Sequence, residues 1–181
     1  MRQDPDVILV GEIRDEETAE MAFRAAMTGH QVYSTLHTHS AVGAFPRLLD
    51  TGVTPEVMAG NMIGIVAQRL IRRLCKHCRQ PYTATSAECR LLGVKADRPP
   101  TVYRAVGCDH CDYQGYRGRL AFMEIVKLDV DLDELISRRA TAREIQRAAV
   151  AKGFRTLADD GARRVLEGTT SLDELMRVVD L

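Results

Sequence analysis

The chain has 181 residues, 45% of them hydrophobic, enough to bury a core in one domain or in two small ones. Its 25 basic and 25 acidic residues leave no net charge, and aromatics make up 5% with no tryptophan. That argues against the basic field and the stacking platforms of most nucleic-acid binders. No apolar run approaches the roughly 20 residues needed to span a bilayer, so direct membrane insertion is not expected.

The first predicted element is the run Val7-Ile8-Leu9-Val10, closed by Gly11. Its unbroken aliphatic character predicts a strand buried on both faces, as in a parallel α/β sheet. Asp15 is placed to cap a helix over residues 16–28, with Met21, Phe23 and Met27 inside it and Gly29 as its stop. A second strand is predicted over 31–38, giving a strand-helix-strand unit whose chemistry gathers at the carboxyl ends of its strands. Those ends carry Glu12 and His37.

Further on, a helix is predicted over 41–49. Another is predicted over 54–68, with Thr54 as N-cap, Pro55 in the first turn and Glu56 beside it. The basic segment 69–74 leads to Cys75-x-x-Cys78, and Cys108-x-x-Cys111 follows after residues 79–107. Each C-x-x-C folds as a tight knuckle aiming two thiolates at one point, and two knuckles complete the tetrahedral sulfur shell that Zn²⁺ prefers in closed structural sites. His77 and His110 lie inside the knuckles but are expected on the solvated surface, since four cysteines already fill the shell. Cys89 is left as a lone thiol, which with the absence of a signal peptide argues against an oxidising compartment.

Residues 119–127 read as a strand rejoining the core, so the cysteine module is expected to be an insertion. From Val130 onward the pattern is helical, with capping boxes at Thr141-x-x-Glu144 and Ser171-x-x-Glu174 and stops at Gly153 and Gly168. The expected division is therefore a core segment over 1–74, a zinc-binding insertion over 75–118, and a core strand with a helical C-terminal lobe over 119–181.

The run from Arg2-Gln3-Asp4-Pro5-Asp6 through Gly11-Glu12-Ile13-Arg14-Asp15 sets an acid directly after a hydrophobic strand, the Walker B position of P-loop NTPases. An acid there can bind the Mg²⁺ shell or polarise an attacking water. With the histidine-bearing run from Thr28-Gly29-His30 to Leu36-His37-Thr38-His39, it resembles the Walker B and histidine boxes of the secretion ATPase superfamily, whose members drive type II secretion and type IV pilus assembly. The two cysteine pairs, Gly115-Tyr116-Arg117-Gly118-Arg119 and the helical end from Asp160-Gly161 fit the same family. Val102 to Cys108 looks closer to type II members.

The resemblance implies an α/β fold, part of a RecA-like P-loop ATPase core with an inserted tetracysteine zinc module. It implies Glu12 as the catalytic acid and His37 as a γ-phosphate sensor, with Gly11, Arg14, Asp15 and His30 near the nucleotide. Cys75, Cys78, Cys108 and Cys111 would hold structural Zn²⁺, and the intact enzyme would use Mg²⁺ and ATP. It also implies a cytoplasmic homo-hexamer, peripheral at the inner membrane, with inner-membrane secretion platform proteins as partners. His39 departs from the asparagine usual in the family.

A larger departure is that no G-x-x-x-x-G-K-[ST] occurs in these 181 residues. Without that phosphate cradle the chain by itself is expected not to hydrolyse ATP, and Met1 looks like a start placed inside an ATPase domain. A reading of another class is a zinc-ribbon nucleic-acid-binding module, favoured by the cations Arg69, Arg72, Arg73, Lys76 and Arg79 beside the first knuckle. A solvated basic face is the commoner meaning of such a cluster.

Overall fold

A computed structural model of the chain describes residues 5–179; Arg2, Gln3 and Asp4 of the acid-bearing run lie outside them. The chain forms two compact units. The first takes residues up to Ala67 and Ile125–Phe154, the second Gln68–Glu124 and residues from Arg155 onward.

In the first unit, β1 (Val7–Val10) pairs in parallel with β2 (Gln31–Ser34), Val7 opposite Gln31 and Val10 opposite Ser34. Between them runs α1 (Glu16–Met27). The Asp15 side chain accepts from the Thr18 amide at 2.8 Å, satisfying one of the amides that a helix start leaves open. Ala19, Ala22 and Phe23 of α1 enter a core shared with Phe45 and Leu48 of α2 (Ala44–Asp50) and Met58 of α3 (Pro55–Met58). Leu132 and Ile136 of α5 (Val130–Ser137) and Ile145 of α6 (Ala142–Ala151) complete it. Ion pairs of Lys152 with Asp129 and Asp131, each 2.5 Å, tie the end of α6 to the start of α5.

The second unit contains β4 (Gln80–Thr83) antiparallel to β5 (Thr101–Arg104), with α4 (Ser86–Leu91) between them. The helices α7 (Leu157–Leu166) and α8 (Leu172–Val178) belong to this unit too. Its core gathers Ile71, Cys89, Val102, Phe122, Val165 and Leu175. Two long strands, β3 (Gly64–Leu74) and β6 (Tyr116–Lys127), pair with each other, and the unit boundary falls inside each. The helical end of the chain is thus divided, α5 and α6 in the first unit, α7 and α8 in the second.

Three expectations, of element type, burial and capping, need correction, and two strand lengths need adjustment. The helix predicted over 54–68 stops after one turn: Ala59 is extended, Gly60 takes φ +77°, and β3 follows. Met58, Met62 and Ile65 mimic a helical stripe, but alternating burial from Gly64 to Leu70 is the period of a strand. The predicted double burial of β1 is also wrong: Val7 is 54% and Leu9 76% exposed, while Val10 and Val32 pack on the core. The strand has one paired edge and one covered face among the described residues.

The third correction is the second capping box. Thr141 and Glu144 complete theirs reciprocally. Ser171 accepts from the Glu174 amide at 3.2 Å, but the Glu174 carboxylate turns to two arginines instead of reaching back. The predicted strand over 31–38 is shorter, ending at Ser34, and that over 119–127 is longer, beginning at Tyr116. The stops at Gly153 and Gly168 take φ +93° and +69°, as helix-ending glycines do.

Candidate active site and metal centre

The carboxyl ends of β1 and β2 are stitched beyond the strands themselves. Ile13 N–H donates to the Thr35 carbonyl at 3.0 Å, and Thr35 Oγ1 donates to the Gly11 carbonyl at 2.7 Å. This brings Glu12 and His37 together, with His37 Nε2 2.8 Å from Glu12 Oε1. Arg14 takes the other oxygen, its Nε donating to Glu12 Oε2 at 2.6 Å and its Nη2 lying at 2.5 Å. The Glu12 side chain is 18% exposed, whereas those of Arg14 and His37 are 76% and 86% exposed. The Arg14 hydrogen bond, helped by the charges of Arg14 and His37, holds the Glu12 carboxyl below its usual range against the opposing effect of desolvation.

The other residues named for this site divide by position. Gly11 is at the strand exit beside Glu12, with nothing within 4 Å of where a Cβ would stand. Asp15 caps α1, and the Thr18 backbone amide lowers its pKa. His30 stands at the amino end of β2, with its Nδ1 3.1 Å from both Thr28 Oγ1 and the Ala25 carbonyl, so it closes α1 instead of joining Glu12. Thr35 lies inside the strand expected over 31–38, where the sequence marks no role for it; it falls just past β2, and its hydroxyl holds the two strand ends together.

In the second unit the four expected cysteines converge, and all their sulfurs lie within 4.8 Å of one another. Cys75 and Cys108 Sγ are 3.9 Å apart, Cys78 and Cys111 3.7 Å, and Cys108 and Cys111 3.9 Å. None is in a disulfide. Four thiolates about 2.3 Å from a central tetrahedral ion lie about 3.8 Å from one another, so the group could hold a metal ion with little adjustment.

Backbone amides already point at the sulfurs. Gly107 donates to Cys78 at 3.3 Å, and Cys111 Sγ receives the Cys108 amide at 3.3 Å and the Gly115 amide at 3.2 Å. Burial pushes the Cys78 thiol up and the Cys108 thiol to about 12. At Cys111 burial is outweighed by the Cys108 and Gly115 amides, which bring the thiol down to about 7. Amides aimed at sulfur favour the thiolate, the form that binds metal.

His77 and His110 are exposed, as expected, and stack with ring centroids 4.0 Å apart. Of the basic cluster, Arg72 binds Glu174, and Arg79 donates to the Gly168 carbonyl and lies over the Tyr103 ring at 4.4 Å. Glu174 was read from the sequence only as part of a capping box. Its side chain is fully buried, a carboxylate held by Arg72 and Arg177.

Comparison with known proteins adds to this geometry. A family described as "Type II/IV secretion system protein" matches residues 1–177. The chain belongs to that family. Relatives within the Type II/IV secretion system family include "Type II secretion system protein E" of Pseudomonas aeruginosa, 51% identical over 98% of this chain and 35% of its own length. "Type IV pilus assembly ATPase TfpB" of Acinetobacter baylyi is 45% identical over 100% of this chain and 31% of its own length. The chain therefore spans about a third of these relatives.

Among solved structures, the ATPase DotB of Legionella pneumophila superposes with a TM-score of 0.64 at 20% identity, over 98% of this chain and 39% of that one. DotB of Yersinia pseudotuberculosis gives 0.66 at 20% identity, over 98% and 37%. These likenesses are of fold, and they agree with the expected α/β class.

Proposed function

We propose that this chain carries the Walker B and histidine-box part of a RecA-like ATPase domain in a protein that powers type II secretion by assembling a pseudopilus. The observation that carries the reading is the Glu12 carboxylate at the carboxyl end of β1, with His37 on one oxygen and Arg14 on the other. Asp15 is committed to capping α1, so on this reading the catalytic role falls to Glu12, whose ties to His37 and Arg14 are with side chains that are largely exposed and free to turn toward Mg·ATP. Bound Mg²⁺ would supply charge neutralisation at the transferred phosphoryl group. Glu12, kept ionised by Arg14, accepts a hydrogen bond from the attacking water and orients it. His37, exposed at the mouth of the site, donates toward a phosphate oxygen.

The tetracysteine group fits Zn²⁺ best, because four thiolates leave no open coordination position and make the site structural. Cys75, Cys78, Cys108 and Cys111 would hold it and so fasten the loops between β3 and β6. The proposal extends to a cytoplasmic homo-hexamer acting at the inner membrane on secretion platform proteins. No helix among the described residues is long and apolar enough to cross a membrane, which accords with a peripheral position. Nucleic acid is not the substrate on this reading, since Arg72 and Arg79 of the basic cluster have partners inside their own unit. A pilus-assembly role is the second reading, favoured by the relative of that name which matches the chain throughout.

The test has two arms. The 181-residue chain alone should show no ATP turnover above background, because it has no phosphate-binding loop. In a longer protein containing this chain and such a loop, Glu12→Gln should lower turnover by about 10²-fold or more while leaving ATP binding in place. Full turnover after that substitution would sink the assignment of Glu12.

A further inference from the structure

The turn between α7 and α8 stands against the roots of both cysteine knuckles. Just before Cys75, the Leu74 amide donates to the Thr169 carbonyl at 2.9 Å, and Thr170 Oγ1 donates to the Arg72 carbonyl at 2.9 Å. Directly after Cys78, the Arg79 guanidinium donates to the Gly168 carbonyl. After the second knuckle, the Tyr116 hydroxyl is 2.6 Å from Ser171 Oγ, and its neighbour Gly115 accepts from the Cys75 amide at 2.9 Å and donates to Cys111 Sγ at 3.2 Å.

Glu174 anchors the assembly. It takes the Arg72 amide at 3.0 Å and the Arg72 guanidinium at 2.9 and 2.6 Å, while Arg177 adds contacts of 2.9 and 2.7 Å. The Arg72 guanidinium in turn lies over the Tyr116 ring at 4.2 Å. Thr170, Ser171 and the Glu174 side chain are buried completely while the Arg72 and Arg177 side chains are 42% and 59% exposed, so the Glu174 oxygens rely on these partners and leaving them unpaired is costly. There is no slack at the turn: a Cβ on Gly168 would stand 2.5 Å from the Tyr103 ring.

We propose that the α7–α8 turn is the outer support of the tetracysteine site. Its docking holds the knuckles at the spacing a metal ion needs, and a bound metal in turn holds the turn down. Groups that position metal ligands without touching the metal commonly change affinity 10- to 100-fold when removed, and such coupling is reciprocal by linkage. The proposal rests on the zinc reading of the four cysteines. The residues at issue, Arg72, Arg79, Tyr116, Ser171 and Glu174, are positioning residues.

The test measures Zn²⁺ affinity of the whole 181-residue chain by competition with a chromogenic chelator. Glu174→Gln, which keeps the shape, and Arg79→Met, which keeps the stem against Tyr103, are each expected to weaken Zn²⁺ about tenfold or more with one ion still bound per chain. In the unaltered chain, Zn²⁺ should slow amide hydrogen exchange at residues 168–175, an arm that does not depend on whether a variant folds. If Zn²⁺ binds but both variants keep its affinity within about twofold, or exchange over 168–175 ignores the metal, the coupling is overturned and the zinc reading stands. If the unaltered chain takes no Zn²⁺ at all, both fall.

Discussion

The two candidate sites are built on opposite plans. The Glu12 site consists of long side chains meeting at the ends of two four-residue strands, with its partners Arg14 and His37 mostly in water. The cysteine site is made by backbone: amides aimed at sulfur, tight turns, and a packed core behind them. The latter is geometrically complete within its unit, whereas the former has a carboxylate and a histidine but no phosphate cradle in this sequence. A structural metal site closes its ligands around the ion, whereas a carboxylate that serves a phosphoryl group must stay reachable.

The sharpest way to break that contrast is to load the chain with Zn²⁺ and then chelate it, on the reading that the four cysteines hold that ion. Structural zinc contributes roughly 10 kcal/mol or more of apparent binding free energy, so chelation should dismantle the knuckles. Protection of the Gly107, Cys108 and Gly115 amides from hydrogen exchange should be lost, while the Ile13 amide, bonded to Thr35, keeps its own. Cys111→Ser should reproduce the loss. Cys89→Ser, at a buried thiol outside the cluster, should leave metal binding intact. Equal loss of protection in both units would show that the metal does more than fasten its own loops.

The same contrast governs what could be read from the sequence. The cysteine spacing announced its site because a local pattern dictates a local shape. Asp15, Glu12 and His37 were legible for a similar reason, each lying at the end of a strand or the start of a helix. Glu174 was not, since its partner Arg72 is 102 positions away and the local pattern named a different role for it. The strand β3 was missed because spaced methionines and a proline at the first turn argued for a helix, and tertiary pairing with β6 overrode them. The exposure of Val7 and Leu9 also escaped, because an aliphatic run reports a preference for burial and not what lies alongside it.

A smaller effect tests how dry the second unit is. Burial by itself would raise the Glu174 carboxyl, but hydrogen bonds from Arg177 and Arg72 reverse this and carry it down to about 2. A group lowered on folding stabilises the fold above its unfolded pKa of about 4.3 and loses that contribution as pH falls through its folded value. Glu174 should therefore add on the order of 2 kcal/mol at neutral pH, lost between about pH 4.5 and 2. Glu174→Gln should show the same deficit at pH 7, and denaturant unfolding of variant and wild type, compared at each pH, should converge toward pH 2. A deficit that persists unchanged at pH 2 would mean that shape, not charge, is what the arginines recognise.

The gentlest test falls on Glu12. Arg14→Ala should raise the Glu12 pKa toward the ordinary value, because the Arg14 hydrogen bond is the leading cause of its depression. His37→Ala should raise it less, since the histidine enters last and only through its charge. A carbon-detected NMR titration of the Glu12 carboxyl follows both. Salt separates the two carboxylates by degree: screening at about 1 M, where the Debye length is about 3 Å, weakens a pair more the more its partners are exposed, and Arg14 is 76% exposed against 42% for Arg72 and 59% for Arg177. The Glu12 pKa should therefore drift upward with salt more than that of Glu174, whose own oxygens are buried. If Glu12 ignores both Arg14→Ala and salt, the Arg14 clamp is not its solution partner, and the carboxylate is held by the strand ends alone.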